Sequence, residues 1–173
     1  MAPSKQDAAF FEDCCRGLLA FSEVQSMRGF LQHGCVSTLE HSLSVAWNSF
    51  ALCRRLGLSV DERSLIRGAL LHDFFLYDWH EKSCGPGAWP HGFTHPGAAL
   101  QNASRLFQLT AREKNVIESH MWPLTLRKIP RCREAAVVCL VDKACSIAET
   151  LRLRRPGAGY EPRWNSLIRS CLH

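Results

Sequence analysis

Six residues with metal-ligating or proton-exchanging side chains stand in apolar or helical surroundings: His41, His72, Asp73, His95, His120 and Asp142. The pair His72-Asp73 lies in the middle of Gly68-Ala-Leu-Leu-His-Asp-Phe-Phe-Leu-Tyr77. On a helix, Leu65, Ala69, His72 and Leu76 share one face, and Ile66, Leu70, Asp73 and Tyr77 share the next. Both polar residues continue apolar stripes and are thereby carried inward. A carboxylate placed there costs several kcal/mol unless it is neutralised, and a metal cation is the most effective partner. Asp142 raises the same question from the middle of the apolar segment 135–145. Taken singly, the six admit plainer roles. His72-Asp73 can be a buried hydrogen-bonded pair, His41 a core histidine, His95 a helix cap, and His120 a cation at a helix C-terminus. Imidazoles and carboxylates on separate helices also converge readily inside a bundle, a usual place to build a metal site.

The elements that must position these residues read as helices. Residues 7–31 hold Phe10, Phe11, Leu18, Leu19, Val24 and Phe30 at roughly helical spacing, enough for one or two helices, with His33-Gly34 as stop and turn. Ser37-Thr-Leu-Glu40 fits a capping box, opening a helix with His41 beside its apolar stripe and Gly57 at its end. Ser59-Val-Asp-Glu62 and Thr110-Ala-Arg-Glu113 read as two further capping boxes, for the helices carrying His72-Asp73 and His120. His95 precedes Pro96-Gly97 at a helix start, and Asp142 falls in a long helix from about Arg131 to Arg154, halted by Pro156-Gly157. Residues 78–94 show no regular pattern; so long a connection directly after the His-Asp pair suits a binding loop or lid. With no strand pattern and no repeat, the chain reads as all-α, with six to eight helices.

Composition narrows the function classes. A chain of 173 residues with 46% hydrophobic and 21% charged residues is one domain's worth of ordinary globular sequence. No apolar run is long enough for a signal segment or a membrane span, so a cytoplasmic location without membrane association is expected. The nine cysteines are odd in number, form no C-x-x-C, and mostly sit in apolar helical stretches, as suits reduced thiols. A net charge of +5 spread over several clusters is compatible with anionic, phosphorylated ligands and too dispersed for nucleic acid.

The order His41, His72-Asp73, Asp142 resembles the HD superfamily of metal-dependent phosphohydrolases. Glu40-His-Ser-Leu-Ser-Val-Ala46 resembles its first motif, Gly68-Ala-Leu-Leu-His-Asp73 its second and Val141-Asp-Lys143 its last. The resemblance implies a single all-α helical bundle over 1–173. The N-terminal helices would span 7–31 and the HD core 33–150, with loop 78–94 at the site and a tail helix over 156–173. It implies that His41, His72, Asp73 and Asp142 ligate one metal. His95 and His120 fall where the binuclear branch adds two histidines, with Asp73 bridging. Two departures matter: Leu76 stands where a phosphate-holding lysine often occurs, and the Gly-Tyr-Pro element of cyclic di-GMP hydrolases is absent after His120. The phosphate contacts would then come from His33, Lys82, His91, Lys128 or Lys143.

The chemistry implied is hydrolysis of a phosphate ester of a small metabolite or nucleotide, by hydroxide activated on one or two divalent transition metals (iron, manganese, zinc or nickel). Asp73 and His72 are at its centre, and the protein would be a monomer or homodimer. Two alternatives use the same residues. The six-ligand order also resembles HD-type mixed-valent di-iron oxygenases, and some HD-like domains are regulatory binding modules.

Overall fold

The computed structural model describes residues 4–33, 36–77 and 91–151, and the side chains of His33 and His91 are outside that description. Seven α-helices are found among the described residues: α1 (Lys5–Leu19), α2 (Ser22–Ser26), α3 (Thr38–Leu56), α4 (Glu62–Leu71), α5 (His91–Leu106), α6 (Ala111–Ser119) and α7 (Arg133–Thr150). The all-α class and the expected number of helices are therefore right. The expected tail helix and the Pro156-Gly157 stop of the long helix before it lie outside the described residues, as do residues 78–90 of the predicted loop.

The helices α3, α4, α6 and α7 pack on one another in a bundle, with α1 against α4 and α5 against α6. The core is apolar where they meet: Leu39, Leu43, Phe50, Leu65, Ile66, Leu70, Val116, Ile117, Ala135 and Val138 are all fully buried. Phe11 of α1 meets Trp47 of α3 edge-on at 5.0 Å between ring centroids, which fastens the N-terminal helix to the bundle.

Several starts and stops follow from local chemistry. The capping boxes Ser37/Glu40 and Thr110/Glu113 form as expected, and Gly57 ends α3 in the left-handed conformation, at φ 62°. The box at Ser59/Glu62 does not form. Asp61 caps α4 instead, accepting from the Ser64 amide. The carboxylate that the box needs is engaged elsewhere: Glu62 pairs with Arg54 at 2.9 Å. The helix carrying His72 is also shorter than its periodicity predicts. It ends at Leu71 with His72 as C-cap, so Leu76 and Tyr77 do not continue its faces. Leu76 instead takes φ 57°, an uncommon backbone conformation for a branched residue, and turns the chain just past the His-Asp pair.

Three further expectations are corrected. Residues 7–31 contain a 3-10 turn (Met27–Gly29) after α1 and α2, and the chain then enters β1 (Leu31–His33), paired antiparallel with β2 (Val36–Ser37). No strand pattern announces these two, because strands of three and two residues are too short to show alternation. Helix α5 begins at His91 rather than beside His95, so residues 91–94 are helical and Pro96 lies inside the helix. Proline removes one ladder hydrogen bond there without ending the helix. Finally, α7 spans Arg133–Thr150, within the longer 131–154 that the sequence suggests.

Helices α4 and α6 approach closely at Gly68, one turn before His72. A Cβ there would stand 2.9 Å from Val116 Cβ and 3.0 Å from its Cγ1, on α6. Gly68→Ala should therefore destabilise by about 1–3 kcal/mol, despite gaining up to about 1 kcal/mol of helix propensity. Urea denaturation checks this; a gain in stability would mean that α4 and α6 do not need this close contact.

Candidate metal centre

Helix ends place two of the histidines. His72 caps α4 and His120 caps α6. The last carbonyls of a helix lack intrahelical donors, and each ring uses one: His72 Nδ1 lies 2.7 Å from the Ala69 oxygen, His120 Nδ1 2.8 Å from the Ile117 oxygen. A carbonyl only accepts, so Nδ1 carries the proton in both rings and Nε2 is left as a lone-pair donor turned inward. Both rings are buried.

His41 comes from the first half of α3 and Asp142 from the middle of α7, as their apolar stripes require. His41 Nε2 lies 3.1 Å from Asp142 Oδ1 and 3.9 Å from Asp73 Oδ2. His72 Nε2 lies 3.3 Å from Asp73 Oδ2 and 3.5 Å from Asp142 Oδ1. On the other side of the Asp73 carboxylate, Oδ1 lies 3.3 Å from His95 Nε2 and 3.5 Å from His120 Nε2. These two nitrogens face each other at 2.7 Å. The six residues expected to act together, from five segments, thus converge, with the other five gathered around Asp73. Its two oxygens face different histidine pairs, and all six side chains are buried.

The donor set suits a divalent cation. Two groups, His41/His72/Asp73 and Asp73/His95/His120, each bring three ligand atoms within 4.8 Å of one another. Among the described residues, His72 Nε2 and Asp73 Oδ1 are buried without a hydrogen-bond partner. Buried polar atoms are seldom left so, and a cation at these positions would satisfy both. Mixed imidazole and carboxylate donors suit transition metals such as iron, manganese, zinc and nickel.

Two supporting residues were not foreseen. Glu149 Oε2 accepts from His41 Nδ1 at 2.8 Å, and Gln32 Nε2 donates to Asp73 Oδ2 at 2.6 Å. Glu149 had a signal, as it follows Asp142 by seven residues, two turns along the same face of α7. Gln32 had none, because it arrives on β1. After the site, Asn102 of α5 donates to the Phe74 and Phe75 carbonyls at 3.0 and 3.1 Å, fixing the chain beyond Asp73.

The phosphate-contact candidates divide. The Lys143 ammonium lies on the His120 and Cys139 carbonyls at 2.9 and 3.1 Å, bracing the end of α6 rather than facing the carboxylates. Lys128 is half-exposed and paired with Glu118. Lys82 and the side chains of His33 and His91 lie outside the described residues.

Without a cation, the carboxylates set the protonation of the cluster. Burial opposes a charge on His41, but the Asp142 and Glu149 carboxylates outweigh it and raise the ring to about 9. His72 is likewise raised against burial by Asp73 and Asp142. Burial, reinforced by the neighbouring His72 and His95, pushes His120 down to about 3. Asp73 and Asp142 are lowered despite burial, Asp73 chiefly by His72 and Asp142 chiefly by His41.

The signs of these shifts predict a pH profile for the metal-free protein. A raised His41 contributes stability that is full below its unfolded value near 6.5 and fades as pH rises through about 9. A depressed His120 makes the unfolded chain bind the extra proton, so stability also falls as pH drops from about 6.5 toward 3. Thermal melting in EDTA should therefore peak near pH 6.5 and decline on both sides. A level profile from 6.5 to 9 would show that His41 does not depend on its two carboxylates.

The family model described as "HD domain" matches residues 38–146, well over half the chain. No curated protein and no solved structure gives a match. The matched span contains His41, His72, Asp73, His95, His120 and Asp142, whereas Gln32 and Glu149 lie just outside it. With its helical bundle and buried His/Asp cluster, the chain belongs to the HD domain family of metal-dependent phosphohydrolases.

Proposed function

We propose that the protein is a metal-dependent, binuclear phosphohydrolase that cleaves a phosphate ester of a small metabolite or nucleotide. The observation that carries this reading is the division of Asp73, with Oδ2 toward His41 and His72 and Oδ1 toward His95 and His120. In this reading, His41, His72, Asp73 and Asp142 hold one divalent metal, and Asp73, His95 and His120 hold a second. Metal ions held there would lower the pKa of water and offset the charge that develops on the phosphoryl oxygens.

The chain's own part is to fix that arrangement. Asp73 is held from one side by the Gln32 amide, which restrains rotation of the carboxylate and keeps its two oxygens on their separate sides. His72 and His120 are locked in one tautomer by the carbonyls of their own helices. Lys143 holds the His120 backbone in place. Phe74 and Phe75, both buried, follow Asp73 directly and shield it from water on that side. Contact with the substrate phosphate falls to His33, Lys82 and His91, with Lys128 and Lys143 already engaged.

The test is metal content together with turnover. Wild-type protein loaded with Mn2+ should hold about two ions per chain, as the paired-metal arrangement requires, and release phosphate from members of a phosphomonoester and nucleotide panel. Asp73→Ala should lower both to background while keeping the helical circular dichroism of the wild type. His95→Ala and His120→Ala should each lower the stoichiometry by about one ion, as expected if a separate site depends on them. Phosphate release undiminished in Asp73→Ala would end this reading. Iron-dependent oxygen uptake with no phosphate release would assign the same residues to an oxygenase.

A further inference from the structure

Among the histidines placed in the first group, His41 has a problem that His72 does not. His72 sits at a helix end and uses a carbonyl that its own helix leaves unpaired. His41 lies inside α3, where the neighbouring carbonyls are committed to the helix ladder, so its Nδ1–H needs an acceptor from elsewhere. Glu149 supplies one, with Oε2 2.8 Å from Nδ1. Its side chain is only 1% exposed, and its second oxygen, Oε1, has no hydrogen-bond partner among the described residues. A carboxylate is costly to bury so incompletely satisfied, and the described residues show one compensating contact for it, the His41 ring. Glu149 also lies outside the span of the family match.

On the strength of this geometry, we infer that Glu149 is a positioning residue of the metal centre, fixing the tautomer and orientation of His41 so that Nε2 faces Asp142 and Asp73. Helix α7 thereby contributes a ligand, Asp142, and two turns later the support for a ligand on another helix. Carboxylates that accept from the outer nitrogen of a ligating imidazole make that ligand more basic and typically contribute about 10–100-fold in metal affinity. Glu149 touches neither substrate nor metal in this arrangement; it acts through His41. The inference rests on the metal-centre reading above.

The test measures Mn2+ binding by equilibrium dialysis. Manganese(II) is used because its preference for oxygen and nitrogen donors keeps it off the cysteines. Glu149→Met should weaken binding by about 10–100-fold. Glu149→Gln, whose amide oxygen still accepts but carries no charge, should fall between it and the wild type. In a His41→Asn background the same Glu149→Met change should cost less than about twofold, the scatter of uncoupled pairs. Glu149→Met should lower metal-free melting, because the buried His41 Nδ1–H loses its acceptor, and Glu149→Gln should lower it less, while both keep the helical circular dichroism of the wild type at the dialysis temperature.

Affinity unchanged in both Glu149 variants would overturn the inference. So would an undiminished loss in the His41→Asn background, or helical circular dichroism of the metal-free variants below that of the wild type at the dialysis temperature, which would trace the weaker binding to a general loss of structure. If Glu149→Met does not fold, the isosteric Glu149→Gln decides, and wild-type affinity there also overturns it. A wild-type protein that binds neither Mn2+ nor Fe2+ would instead end the metal-centre reading itself, a distinguishable result.

Discussion

Negative charge buried in an apolar helical bundle is the constraint on which the rest of this structure depends. Asp73, Asp142 and Glu149 are each less than a tenth exposed, beside a core built mainly from leucine, valine, alanine, phenylalanine and cysteine. Three carboxylates cannot remain there unless something nearby offsets them. The four buried histidines are the only side chains that meet them at the centre among the described residues with any capacity to carry positive charge, and His41 and His72 are raised for that reason. The same histidines also present nitrogen lone pairs when they are neutral. The cluster is thus compatible with either protons or divalent cations at its centre, and the two compete for the same atoms.

The fold serves this centre largely through its interruptions. Helices α4 and α6 stop where their histidines stand, and the unpaired carbonyls of their last turns hold the rings. The chain turns immediately after Asp73, with a positive φ at Leu76, and α5 ties that turn down through Asn102. A two-stranded pair too small to matter as a sheet brings Gln32 to Asp73. Continuous helices would have carried these side chains onward along a face; ending them lets several elements converge on one carboxylate.

Much of this was legible in the residues. His41 and Asp142 continue apolar stripes of long helices, and the structure buries both where those stripes meet. The boxes at Ser37 and Thr110 form because each serine or threonine and its glutamate are three residues apart and satisfy each other locally. Where a local signal had a distant competitor, it misled. Ser59 and Glu62 match the same pattern, but Arg54 takes the Glu62 carboxylate, and the cap passes to Asp61. The extent of α4 was overread for a similar reason: Phe74 to Tyr77 continue its periodicity, but the turn is set by packing and by Asn102 from α5.

The sequence by itself determined which ligand-type side chains stand in or directly after apolar helical segments, because ligand type is a property of the residue and helical periodicity is a property of its neighbours. Tertiary structure alone decided how those side chains are used. It set which oxygen of Asp73 faces which histidines, turned Lys143 onto a backbone carbonyl, and brought Glu149 to His41 across 108 residues of chain and Gln32 to Asp73 across 41. Contacts between residues so far apart leave no mark in local spacing, since they exist only once the helices have packed.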